Sequence, residues 1–170
     1  MEKSNMFSQK VQNAINDQID AELYSAYVYL SMSAYFEAQN LPGFAHWMRL
    51  QYQEETQHAL KLFDYMNDRG GAIVLKAVDA PPAGSGSTLA IFEKTLAHEQ
   101  KVTGLIHSLY KLAVDEGDYP TQVLLQWYID EQVEEEKNAT AAVANLRLAG
   151  DSGPGLLLLD REMGGRGAAD

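Results

Sequence analysis

Apolar residues recur at helical spacing through four long stretches of the chain. Turning each residue by about 100° puts Val11, Ile15, Tyr29 and Phe36 on one face of the first stretch and Phe44, Met48, Leu62 and Met66 on one face of the second. Phe92, Ile106 and Tyr110 line the third, and Leu124, Ala142 and Leu146 the fourth. Of 13 Gly and 5 Pro, all but Gly104 fall in clusters between or after these stretches. The stretches themselves are rich in Ala, Leu, Glu, Gln and Met, which favour helix, whereas Gly and Pro end it. The pattern predicts helices over about 8–40, 42–69, 87–116 and 120–149. Ser8 and Ser87 or Thr88 serve as N-caps, Pro42 and Pro120 sit in first turns, and Gly70 and Gly150 follow the ends.

Short links join the first helix to the second and the third to the fourth, which makes each pair an antiparallel hairpin. The segment 70–86 can extend to roughly 56 Å, whereas a helix of about 28 residues is roughly 42 Å long. It can therefore run the length of the molecule, so the expected fold is all-α: a four-helix bundle with one long crossover. A short fifth helix is expected around 155–162, before a glycine-rich tail. A chain of 170 residues is of single-domain size, so 1–170 is read as one domain.

Each apolar stripe is interrupted by acid. Glu22 lies on the first, Glu55 on the second, Glu99 on the third, and Glu131 and Glu135 on the fourth. Counted from the helix starts, all fall at mid-height. A buried carboxylate is strongly disfavoured unless paired, and several at one place more so. No Lys or Arg lies on these stripes near mid-height, so the expected partners are bound cations. His58, one turn after Glu55, completes a Glu-x-x-His pair of the kind that dinuclear sites in bundle cores use. Carboxylates with one imidazole suit iron, manganese or zinc better than calcium, and so carboxylate-rich a set suits a di-iron centre handling oxygen.

Composition narrows the partners further. The 13 Lys and Arg stand against 24 Asp and Glu, a net charge of -11, with no cysteine. Disulfides, thiolate chemistry and Cys-ligated clusters are excluded. The acidic surplus disfavours nucleic acid and anionic lipid. No stretch is long and apolar enough to span a membrane, and residues 1–10 contain no apolar leader. A cytoplasmic protein is expected.

The segments Ala21-Glu22-Leu23-Tyr24-Ser25-Ala26-Tyr27, Gln53-Glu54-Glu55-Thr56-Gln57-His58-Ala59 and Leu125-Gln126-Trp127-Tyr128-Ile129-Asp130-Glu131-Gln132-Val133-Glu134-Glu135-Glu136-Lys137 resemble the non-haem ferritins of bacteria and archaea, and the resemblance runs from about residue 7 to 163. It implies that Glu22, Glu55 and His58 hold a first iron, with Glu55 bridging. A second would lie at Glu99 and Glu135, with Gln132 close by. Glu54, Glu131, Glu134 and Glu135 match a third, weaker iron site. Tyr29 matches a tyrosine that can supply an electron, and Trp127 a nearby tryptophan. The implied activity is ferroxidase: Fe(II) is oxidised by dioxygen to Fe(III), and ferric oxyhydroxide is stored inside a shell of 24 subunits. No haem is implied. Bacterioferritins resemble the chain too, but they place a haem-binding methionine where Thr56 stands and a second Glu-x-x-His where Glu131-Gln132-Val133-Glu134 has none.

Other readings stay open at this point. The chain could be a different di-iron carboxylate oxidase or a non-catalytic shell subunit, and Glu54 and Glu134 could be surface acids. His46, His98 and His107 have no carboxylate one turn away on a buried stripe and are read as structural or surface residues.

Overall fold

In the computed structural model, which describes residues 7–150 and 152–167, five helices follow one another: α1 Gln9–Ala38, α2 Pro42–Asp68, α3 Thr88–Asp115, α4 Tyr119–Ala149 and α5 Gly153–Gly164. The first six residues, Asp151 and the last three lie outside the described residues. The helix starts are set by side chains that satisfy free amide groups. Ser8 accepts from the Val11 amide, Ser87 from Ala90, Asp118 from Thr121 and Ser152 from Gly155. With Ser152 as cap and Pro154 in its first turn, α5 begins earlier than the expected 155.

The four long helices form the expected bundle with one crossover. The segment between α2 and α3 is held along α1 from one end to the other. Near its start, Asn16 Nδ2 donates to the Ala72 carbonyl at 2.9 Å, and the Val74 amide donates to Asn16 Oδ1 at 3.0 Å. Near its end, the Tyr35 hydroxyl donates to the Gly86 carbonyl at 2.8 Å. Asn16 and Tyr35 are about five turns of helix apart, so the crossover returns the chain and leaves α2 and α3 parallel. No described helix is long and apolar enough to cross a membrane.

Two apolar clusters fill the bundle, one towards each end. Val11, Ile15, Leu62, Met66, Ile106 and Leu125 belong to the first. Phe36, Phe44, Met48, Phe92, Leu146 and Leu159 belong to the second. The buried acids lie between them along the helices, so oily layers above and below enclose a polar one.

The fifth helix is built into the second cluster through Leu159 and caps another helix. Leu41, at the start of α2, provides no side-chain cap; instead the buried Asp160 accepts from the Phe44 amide at 2.9 Å. This close approach requires glycine at 43, where a Cβ would sit 1.6 Å from the Asp160 carbonyl oxygen. Gly104 is the opposite case, because a Cβ there meets nothing within 4 Å. Glycine inside a helix is entropically unfavourable when no contact demands it. We therefore expect Gly43→Ala to lower stability by about 1–3 kcal/mol through overpacking and Gly104→Ala to raise it by about 0.5–1 kcal/mol. Denaturant unfolding of both variants checks this, and a Gly43→Ala protein as stable as the parent would refute the packing account.

Candidate metal centre

The polar layer draws on all four long helices because each carries its acid at the same height. Glu22 from α1, Glu55 and His58 from α2, Glu99 from α3, and Gln132 and Glu135 from α4 are all buried, as is Tyr29 from α1. One ligand atom each from Glu22, Glu55 and His58 lies within 4.8 Å of the others, close enough to share a metal ion. His58 Nδ1 is 3.5 Å from Glu55 Oε2, and its Nε2 is 3.9 Å from Glu131 Oε2.

Hydrogen bonds hold three of the four buried carboxylates. Gln18 Nε2 donates to Glu22 Oε1 at 2.8 Å, and Gln51 Nε2 donates to Glu135 Oε2 at 2.8 Å. Glu99 is held on both sides, by the Tyr29 hydroxyl on Oε1 and by Gln132 Nε2 on Oε2 at 3.3 Å. Gln132 also reaches the Glu99 carbonyl and the Thr103 hydroxyl, both at 3.2 Å. The Tyr128 hydroxyl donates to the His58 carbonyl at 2.7 Å and ties α4 to α2 beside the site. The ring of Trp127 stands edge-on to the His58 ring, 5.4 Å between centroids.

Glu55 differs from its neighbours. Both of its oxygens, and Oε2 of Glu22, are buried without a hydrogen-bond donor among the described residues. Buried polar atoms are almost always paired, so three such oxygens facing one imidazole mark a place built for a positive partner.

Electrostatics point the same way. Burial first, and then the neighbouring Glu55 charge, push the Glu22 carboxyl well above the usual carboxylate range. Burial and then Glu99 do the same to Glu55. Burial raises Glu99 against the lowering effect of Tyr29 and Gln132. Glu135 is pushed up to about 8, by burial and then by Glu99. Burial and then Glu99 raise Tyr29, so its hydroxyl keeps the proton it donates.

The remaining predicted residues sit further out. Glu131 is half-buried and Glu134 exposed, because the buried face of α4 runs through Leu125, Tyr128, Gln132 and Glu135. That face is turned by one residue from the stripe drawn through Leu124, and the turn carries Glu131 to its edge. With Glu54, Glu131 and Glu134 line an open recess that leads to His58 and Glu135. His46 and His107 are exposed. His98 is half-buried, with Nε2 2.8 Å from the Ser25 hydroxyl and its ring edge-on to Tyr29.

Sequence reasoning missed Gln18, Gln51, Tyr128 and Arg166. The first two carried a legible signal, since each stands four residues before a stripe acid, Glu22 or Glu55. Arg166 follows α5 and carried none; its guanidinium pairs with Glu54 at 2.8 Å.

The model of the ferritin-like domain family matches residues 12–149. The chain is 44% identical over 161 residues to the bacterial non-heme ferritin of Bacteroides fragilis, covering 95% of this chain and 100% of that one. It is 37% identical over 161 residues to the bacterial non-heme ferritin of Staphylococcus aureus, with 95% and 97% covered. Among solved structures, an open pore ferritin from the hyperthermophilic archaeon Archaeoglobus fulgidus aligns with a TM-score of 0.94 and 48% identity over 96% of this chain and 99% of that one. By this match over most of its length, the chain belongs to the ferritin family.

Proposed function

We propose that the protein is an iron-storage ferroxidase, that its substrate is Fe(II) with dioxygen as oxidant, and that the buried acid layer is its di-iron centre. The observation that carries this reading is the set of three donorless carboxylate oxygens on Glu22 and Glu55 beside His58. Glu22, Glu55 and His58 would hold one iron. Glu55, with its second free oxygen, would bridge to another held by Glu99 and Glu135, with Gln132 beside it. Glu54, Glu131, Glu134 and Glu135 would form a weaker third position in the recess. Two bound Fe(II) would give one electron each to one dioxygen, which takes up two protons and leaves as hydrogen peroxide, and the Fe(III) product hydrolyses and is stored as ferric oxyhydroxide.

The chain's own residues do the positioning. Gln18 fixes the rotamer of Glu22, Gln51 that of Glu135, and Tyr29 with Gln132 that of Glu99. The partners around such ligands set their geometry and affinity for metal. Tyr29, hydrogen-bonded to Glu99, would supply a further electron, its hydroxyl proton passing to the Glu99 carboxylate. The apolar clusters on either side exclude water. We further propose that residues 1–170 act as one domain, without haem and in the cytoplasm. Copies assemble into a shell of 24 around the mineral, with neither nucleic acid nor membrane as partner.

Replacing one ligand tests the reading directly. Glu22→Ala or His58→Ala should slow Fe(II) oxidation by roughly a hundredfold or more while the mass of the assembly in solution stays that of the parent. Stopped-flow absorbance with light scattering measures both, and unchanged oxidation in the two variants would sink the assignment.

The raised carboxyls make a second prediction about the metal-free protein. Below about pH 4.5, folded and unfolded chains both hold these protons. As pH rises from 4.5, the ordinary value, towards about 8, the value of Glu135, the unfolded chain releases protons that the folded one keeps. Stability tracks the difference in bound protons, so it is lost as pH rises through this window. Thermal melts of metal-free protein should fall across it, and less steeply in Glu135→Gln. A melting temperature that climbs with pH in both proteins would contradict the buried-acid account.

A further inference from the structure

The segment after α5 lays one cation into the mouth of the acidic recess. Arg166 Nη2 meets both oxygens of Glu54, at 3.0 and 2.8 Å, and Nη1 donates to Gln51 Oε1 at 2.6 Å. Its guanidinium carbon lies 5.0 Å from the centre of the Trp47 ring, and His46 Nε2 is 2.9 Å from the Arg166 carbonyl oxygen. Trp47, Gln51 and Glu54 are spaced by four and three residues, so α2 presents them as one docking face. Glycines at 165 and 167 add no side-chain anchors, so Arg166 itself makes the attachment.

Two consequences follow from the chemistry. A guanidinium does not lose its proton in a protein, so while Arg166 is docked it neutralises Glu54, occupies a lone pair on each of its oxygens and competes with any metal ion that approaches them. The same guanidinium grips the oxygen end of Gln51, whose nitrogen end donates to Glu135 at 2.8 Å. The tail is thereby linked through one amide to an inner acid of the centre. The side chains of Arg166 and Glu54 are 22% and 14% exposed, so water reaches the pair and exchange is open to it.

We propose that Arg166 is a tethered, displaceable cation that occupies the outer metal position of this chain. It neutralises Glu54 when no metal is there and leaves when a divalent cation enters between Glu54, Glu131 and Glu134. Filling of the outer position is therefore coupled to release of the C-terminal segment. The inference rests on the reading of the recess as metal-binding.

Zinc(II), which cannot be oxidised by air, separates the two. Calorimetric titration of the assembled protein should show a tight step at the inner ligands and a weaker one in the recess. Arg166→Ala should tighten the weaker step by roughly ten- to a hundredfold, the range expected for removing a competing charge-assisted contact, and leave the tight step in place. Arg166→Lys should fall between, and Arg161→Ala, the same charge change on an exposed residue of α5, should match the parent. In the parent, saturating zinc should also speed tryptic cleavage after Arg166, followed by mass spectrometry. A weak step indifferent to Arg166→Ala, with the tight step intact, would overturn this inference alone. Loss of the tight step from every protein, the parent included, would overturn it together with the metal centre.

Discussion

Burying negative charge between two apolar clusters is the constraint around which the fold is arranged. Glu22, Glu55, Glu99 and Glu135 are each almost wholly removed from water, and burial is the first cause of the upward shift in all four. In a metal-free chain such a layer holds together by keeping protons. With metal bound as proposed, it would hold together by exchanging them for cations, which compensate several carboxylates at once. Metal binding and conformational stability would then share one set of residues.

The helices make this arrangement possible. Four of them, running alongside one another, bring acids that are far apart in sequence to one height, and the crossover along α1 permits α2 and α3 to run in parallel. Amides and hydroxyls from the same helices then hold the outer edges of Glu22, Glu99 and Glu135, leaving both Glu55 oxygens without a hydrogen-bond donor among the described residues. That asymmetry suits a bridging ligand, since a carboxylate held by neither edge can turn both oxygens to metal. The fifth helix contributes at a distance: Asp160 caps α2, and the chain beyond it brings Arg166 to Glu54.

How much of this was legible in the sequence depended on whether helical periodicity alone decided it. Glu22, Glu55, His58 and Glu99 could be placed because acids in the middle of apolar stripes stand out, and the glycine and proline clusters fixed which stripes were separate helices. Glu131 was drawn inside when the structure puts it at the edge, because on α4 two registers a residue apart fit the apolar positions almost equally well. The buried face is decided by packing of Leu125 and Tyr128 against the other helices. Gln18 and Gln51 were readable as residues one turn before a buried acid, yet polar residues on a stripe draw less notice than charged ones. Asp160 and Arg166 could not be read at all, since their roles arise from where α5 docks, which no local pattern encodes.

The most direct test of a buried carboxylate layer built to be neutralised by metal is to locate the metal. Crystals of the assembled protein soaked in Fe(II) without oxygen, with diffraction measured at the iron absorption edge, would give the positions by anomalous scattering. The account predicts two strong peaks at the polar layer that share Glu55, one also bound by Glu22 and His58 and the other by Glu99 and Glu135. Iron found only on surface acids, with no peak in contact with Glu55, would contradict it.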